Sequence, residues 1–205
     1  MKVELHLHTS RYSPCSKATP EELMERLIAT GYGAVYITEH SVVWSTGELA
    51  DLQRRFPQIR VFSGVEVMAE PSQAPGGQHL VVLGTNDPAY IALSGRPREI
   101  LARARQEGCL TIMAHPFRWP ESSLLLDEGI IPDCLEYRTG NHDEAGALQA
   151  LQAAEKLRVP LVNTGDVHGL DFVNRFWIET DSTVADAKDI RPIILAGAYR
   201  NCTKA

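Results

Sequence analysis

Short β-branched runs alternate with stretches of helical period from one end of this chain to the other. Val3–Leu7, Ala34–Thr38, Arg60–Val67, His79–Gly84, Leu110–Ala114, Cys134–Tyr137 and Pro160–Thr164 read as strands. Pro20–Thr30, about Thr46 to Phe56, Arg98–Glu107 and Glu144–Leu157 read as helices, with Phe176–Thr180 and Val184–Ala196 as a closing strand and helix. The first helix carries its own start signal: Thr19 as cap, Pro20 behind it, then Glu21 and Glu22 in the first turn. Leu23, Leu27 and Ile28 give it an apolar stripe, and Gly31 ends it. Pro71–Gln78 is too rich in Pro and Gly for a helix, so the third and fourth strands read as a hairpin.

Unbroken β/α alternation means an α/β fold, either a barrel or a doubly wound sheet. The expectation is an irregular seven-stranded (β/α)7 barrel, lean for 205 residues and spanning 1–205 as a single domain. Four widely spaced cysteines, Cys15, Cys109, Cys134 and Cys202, make no CxxC pair. They argue against a disulfide framework and for a reducing, cytoplasmic setting. The opening Met1-Lys2-Val3-Glu4-Leu5-His6 has no signal-peptide pattern, and no apolar run nears the roughly 20 residues of a membrane span. A net charge of −6 disfavours a long nucleic acid as partner, although a local site can still be positive.

The polar residues fall at one end of the strands. His6 and His8 end the first, His40 follows the second, Glu66 lies near the end of the third and His115 follows the fifth. Glu136 ends the sixth, and Asp166 and His168 follow the seventh. His79, at the start of the fourth, joins the same rim if that strand runs antiparallel. The rim at the strand C-termini is where barrels build active sites, and imidazole with carboxylate is a ligand set for zinc, manganese or iron. Taken singly, an HxH pair is weak, and a lone histidine after a strand is usually a surface residue. Glu66, between Val65 and Val67, is harder to dismiss, because a buried carboxylate needs a cation. The conjunction on one rim carries the weight.

In order and spacing, His6-Leu7-His8, Thr38-Glu39-His40, Gly64-Val65-Glu66, His79, Ala114-His115-Pro116 and Asp166-Val167-His168 resemble the polymerase and histidinol phosphatase (PHP) family. The stretch Phe176–Tyr199 is similar to that family's closing strand and helix, so the resemblance spans essentially the whole chain. It implies a metal-dependent phosphoesterase with two or three divalent ions (zinc, manganese or iron) and a small phosphorylated substrate. Carried over by position, the first ion takes His6, His8, Glu66 and Asp166, and the second takes Glu66, His79 and His115. The third takes His40 and His168. A water bridging the first two ions would be acidified and attack phosphorus, with Asp166 as proton shuttle. The departure from the family lies in Thr9–Thr19, which holds neither carboxylate nor histidine where the family often supplies one. Cys15 either replaces it as thiolate or is a bystander beside a weak third site.

Arg118 and Arg138 are the favoured phosphate clamp, with Arg11 and Arg175 behind them, though solvated arginine is the commoner explanation for any one. Glu39, Glu136, Asn141 and His142 are candidates for orienting the imidazoles. Trp44, Trp119 and Trp177 either line a pocket or pack against helices, the latter being favoured. Three other functions compete: a nuclease acting on nucleic-acid ends, a metal barrel cleaving an amide or ring, and a degenerate module that binds metal without catalysis.

Overall fold

The computed structural model describes residues 1–69, 77–119 and 124–204. The expected loop of residues 71–78 lies outside the described residues up to residue 76. Among the described residues nine strands form one sheet: β1 (Lys2–Glu4), β2 (Ala34–Ile37), β3 (Arg60–Met68), β4 (His79–Leu83), β5 (Leu110–Ala114), β6 (Cys134–Glu136), β7 (Leu161–Val162), β8 (Phe176–Thr180) and β9 (Tyr199–Thr203). Their spatial order is β7-β6-β5-β4-β3-β2-β1-β8-β9. β1 to β7 are the seven expected strands and β8 the expected closing strand, so the sequence reading lacks β9 alone. β8 runs antiparallel to β1, and β9 antiparallel to β8.

The sheet nearly closes on itself through side chains. Asn201 Nδ2 and Tyr199 Oη both donate to the Leu161 carbonyl, at 2.8 and 2.7 Å, while Asn163 N donates to Asn201 Oδ1 at 2.6 Å. At the other end of the seam Leu7 and Val167 form a parallel bridge. These bonds satisfy backbone groups that an open edge would leave unpaired.

Helices α1 (Pro20–Ala29), α2 (Thr46–Arg55), α4 (Pro97–Glu107) and α6 (Glu144–Leu157) follow the sequence reading closely. Capping boxes Thr19/Glu22 and Ser45/Glu48 start α1 and α2, and Gly108 at φ +75° stops α4. Two one-turn helices, α3 (Ala89–Ala92) and α5 (Leu124–Asp127), are too short to leave a periodic signal. The last helix, α7, covers only Ile190–Leu195 rather than Val184–Ala196. Asp189 accepts from Ala185 N and Asp186 N, which holds the preceding residues in a turn.

The strand residues alternate between two environments, as a pleat requires. Tyr36, Val81, Leu83, Ile112 and Val162 pack inside the barrel, which Ile190 and Ile194 of α7 plug. Their neighbours in sequence face outward: Leu80, Val82 and Met113 meet α4, α5 and α6, while Val35 and Ile37 meet α1 and α2. β3, β4 and β5 are antiparallel to each other in turn, so the hairpin reading holds. Reversal of β4 sets His79 opposite Met68 and Ala114, on the rim formed by the other strands' C-termini.

Gly64 is where this hairpin is tightest. A Cβ there would lie 2.7 Å from the Val82 carbonyl oxygen and 2.9 Å from Leu83 Cδ2. Gly64→Ala should therefore cost about 1–3 kcal/mol, a fall of several degrees in Tm. A melting curve matching the parent's would mean that β3 and β4 are not so closely apposed.

Candidate metal centre

β1 ends earlier than its apolar run suggests, and the reason is Glu4. Its Oε1 accepts from Leu5 N at 3.1 Å and His6 N at 3.2 Å, taking up donors that a longer strand would have given to a neighbour. The same oxygen accepts from Gly165 N at 2.7 Å and so ties the His6–His8 segment to the Asp166–His168 segment. Burial pushes the Glu4 carboxyl up to about 8, against those backbone bonds and the nearby charge of His6. Glu4 was absent from the sequence candidates. The available signal was a carboxylate two residues before His6 in an otherwise apolar run.

Glu66 stands at the centre, buried and held by β3. Its Oε1 lies 2.8 Å from His79 Nδ1 and 3.5 Å from His115 Nε2. Its Oε2 lies 2.8 Å from His40 Nδ1, 3.2 Å from His8 Nε2 and 3.4 Å from His6 Nε2. Asp166 Oδ1 is 3.5 Å from both His6 Nε2 and His8 Nε2 and 3.4 Å from His168 Nδ1. The geometry thus brings together His6, His8, His40, Glu66, His79, His115, Asp166 and His168. Three groupings within it have ligand atoms close enough to share an ion: His6, His8 and Asp166; His40, Glu66 and His79; and His8, His40 and His168.

The donor set fits cations. Glu66 Oε2 and Asp166 Oδ1 are buried without a hydrogen-bond partner, and His6 Nε2 and His8 Nε2 face each other at 3.0 Å. Nitrogens and oxygens aimed at one another this closely are what a shared ion resolves.

Neighbouring side chains fix the imidazoles of His6 and His8. Glu136 Oε1 sits 2.7 Å from His6 Nδ1 and accepts from Thr164 Oγ1 at 2.6 Å, while its Oε2 accepts from His115 N at 2.6 Å. Glu39 accepts from Thr9 N, Ser13 Oγ and Trp44 Nε1, and Ser13 Oγ lies 3.3 Å from His8 Nδ1. Asn141 Nδ2 donates to Asp166 Oδ2. His142 works one step further out, accepting from Phe117 N at 3.2 Å. His115 at φ +31° and Asp166 at φ +42° occupy left-handed backbone that costs such residues about 1–3 kcal/mol. The bond from His115 N to Glu136 helps hold the first of them.

The charges are coupled. Burial opposes ionisation of Glu66, yet His6, His79, His115 and His40 hold it well below the usual carboxylate range. Burial likewise opposes Asp166, and His6 and His8 hold it well below. In return, against burial, the carboxylates raise His6, His8 and His79 above the ordinary imidazole value. His168 goes the other way, lowered mainly by burial. At the cavity edge, desolvation and, behind it, the charges of Glu66 and Asp166 push the Cys15 thiol up.

A cavity of about 300 Å³ opens over the cluster, lined by Cys15, His40, His79, His115, Arg118, Trp119, Asn141, Asp166, His168 and Phe172. A larger one, about 540 Å³ beside Ala69, Pro97 and Leu125, holds none of these groups, so chemistry rather than size locates the site. Of the four candidate arginines, Arg118 reaches the cavity, its guanidinium 4.4 Å from the Trp119 ring centroid. Arg11 pairs with Glu48 at 2.6 Å, Arg138 with Glu144 at 3.1 Å and Arg175 with Asp171 at 2.8 Å. Trp44 packs in the outer core, and Trp177 lies under the Lys2 ammonium at 3.9 Å, so neither lines the cavity.

Eight nitrogen and oxygen donors converging on the C-terminal rim of an α/β barrel define a metal-dependent barrel hydrolase. The chain belongs to the PHP domain family, whose model matches residues 4–112, just over half of its 205 residues. No curated protein matches it. Among solved structures, it is similar to PsfC from Pseudomonas syringae, with a TM-score of 0.68 at 17% identity, covering 100% of this chain and 91% of that one. A protein from Bifidobacterium adolescentis assigned as a metal-dependent phosphoesterase gives 0.65 at 13% identity, covering 93% and 94%. An amidohydrolase from Chromobacterium violaceum, with bound sulfate and no metal, gives 0.58 at 18%, covering 82% and 88%. At these identities the likenesses establish the fold.

Glu136→Ala should weaken metal binding about 10- to 100-fold, because it frees His6 to turn; unchanged affinity in titration calorimetry would remove Glu136 from that role. The pH dependence follows from the raised imidazoles. A raised imidazole stabilises the metal-free fold below its ordinary value of about 6.5 and loses that contribution as pH rises through its folded value. The lowered carboxylates stabilise above about 4 and lose their contribution as pH falls. Metal uptake must expel the imidazole protons, so affinity should rise with pH while the metal-free Tm falls on the alkaline side. Affinity independent of pH between about 6 and 8 would contradict this.

Proposed function

We propose that this chain is a phosphoesterase that hydrolyses a small phosphorylated substrate. Two or three zinc, manganese or iron ions are held by His6, His8, His40, Glu66, His79, His115, Asp166 and His168. The observation that carries the reading is Glu66, whose two oxygens together face five imidazoles and so suit one carboxylate shared between ions. Such ions, when bound, acidify water and neutralise phosphoryl oxygens.

The chain's own groups supply the rest. Asn141 holds one oxygen of Asp166, and the other has no hydrogen-bond partner. In this reading Asp166, held at the ions, also takes the proton of the attacking water as oxygen bonds to phosphorus, and returns it to the leaving oxygen as the ester bond breaks. Arg118, on the cavity wall, offers a fork of donors to the remaining phosphoryl charge. That arginine favours a phosphoester over an amide, and a cavity of about 300 Å³ favours a small substrate over a polymer. The net charge of −6 points the same way.

Turnover of metal-loaded protein on sugar phosphates, mononucleotides, phosphotyrosine and a set of amides tests the reading. Phosphoester cleavage is expected, and it should be abolished in Glu66→Gln with the fold retained. Protein that binds its metals but turns over none of the phosphoesters would instead be a non-catalytic module. Arg118→Ala should raise KM for the preferred substrate about 10- to 100-fold, the value of one charged hydrogen bond. An unchanged KM would remove it from phosphate binding.

A further inference from the structure

The turn that leads from β5 to Arg118 is held from one side by two residues of β6 and its connection. It begins at His115, whose N–H donates to Glu136 Oε2 at 2.6 Å, and it closes where Arg118 N donates to the His115 carbonyl at 3.0 Å. Between them, Phe117 N donates to His142 Nε2 at 3.2 Å. The other ring nitrogen, His142 Nδ1, lies 3.0 Å from the Tyr137 carbonyl, an acceptor that only an N–H can meet. Together the two bonds fix one neutral tautomer, with the proton on Nδ1 and a lone pair on Nε2. Burial, with the charge of His115 behind it, lowers this imidazole below its ordinary value, against the Tyr137 carbonyl and the charges of Glu136 and Asp143. The neutral form is thereby favoured.

The helix behind the ring leaves room for it. Gly146 lies in the first turn of α6, and a Cβ there would sit 3.0 Å from His142 Cδ2 and 3.2 Å from Nε2. Alanine is the better helix former by up to about 1 kcal/mol, so the helix forgoes stability where the ring lies flush. We propose that His142 is a positioning residue for the phosphate clamp: through Phe117 it sets how far Arg118 stands from the ions that His115 helps to hold. The inference rests on the phosphoesterase reading above, in which Arg118 meets the phosphoryl group. His142 does not itself line the cavity, so its effect on a substrate passes through the turn.

The test is the affinity of the manganese-loaded full chain for inorganic phosphate, read by titration calorimetry with metal content measured alongside. Arg118→Ala and His142→Phe should each weaken binding about 10-fold, and the double variant should bind no more weakly than Arg118→Ala alone. His142→Gln, which restores an acceptor for Phe117 N, should recover most of the loss. Gly146→Ala, which makes the ring give by a few tenths of an ångström, should weaken phosphate binding while Tm holds or rises. A merely structural role would move affinity and Tm together. Losses that add in the double variant, or parent affinity in His142→Phe, would overturn the inference and leave the clamp standing. Loss of metal from His142→Phe would overturn it too, because the ring would then act on the ions. Should His142→Phe fail to fold, parent affinity in Gly146→Ala would overturn it. Parent affinity in Arg118→Ala, or a parent that binds no phosphate, would remove the clamp and this inference with it.

Discussion

At the barrel mouth five histidines encircle the Glu66 carboxylate, and the surrounding backbone is arranged around that contact. An isolated buried charge costs several kcal/mol even after relaxation, and Glu66, Asp166 and Glu136 are all buried within one cluster. Without ions, protonated imidazoles can balance those carboxylates, which is why His6 and His8 are raised while Glu66 and Asp166 are lowered. With ions bound, the same imidazoles become neutral ligands and the cations carry the positive charge. Both arrangements need every donor within about 3.5 Å of its partner, and that demand shapes the surrounding backbone.

Several irregularities of the fold make sense as answers to that demand. β4 runs against its neighbours, which delivers His79 from a strand start to the rim that other residues reach from strand ends. β1 stops at Glu4, whose carboxylate takes over its backbone donors and draws the Gly165 amide across the seam. Gly165 has no room for a side chain there, since a Cβ would sit 2.6 Å from Glu4 Oε2. His115 and Asp166 accept unfavourable backbone angles. They are two of five non-glycine residues at positive φ among the described ones, the others being Ser41, Arg158 and Asn174.

The sequence disclosed the parts governed by local rules. Thr19-Pro20-Glu21-Glu22 announces α1, the Pro/Gly-rich run before His79 announces a hairpin, and polar residues at strand ends announce a rim. It concealed what depends on distant partners. Nothing local to Tyr199–Thr203 says that it closes the barrel, because its bonds to Leu161 and Asn163 span about 40 residues. Glu4 looked like an ordinary strand residue because its partner Gly165 is 161 positions away. Arg118 and Arg138 look alike in sequence, each just past a rim residue, yet Glu144 is placed to pair with the second alone.

This contrast separates the two halves of the function. The donors come from strand ends and from short turns stitched to the barrel, where a shift of one residue would break several bonds at once. The cavity walls that would meet a substrate, Arg118, Trp119 and Phe172, lie further along the connections after β5 and β7, beyond His115 and His168. Loops tolerate change far better than packed strands, because their backbone groups are not committed to the core. The reaction class is therefore built into the barrel, while the choice of substrate rests with connections that can vary without disturbing Glu66.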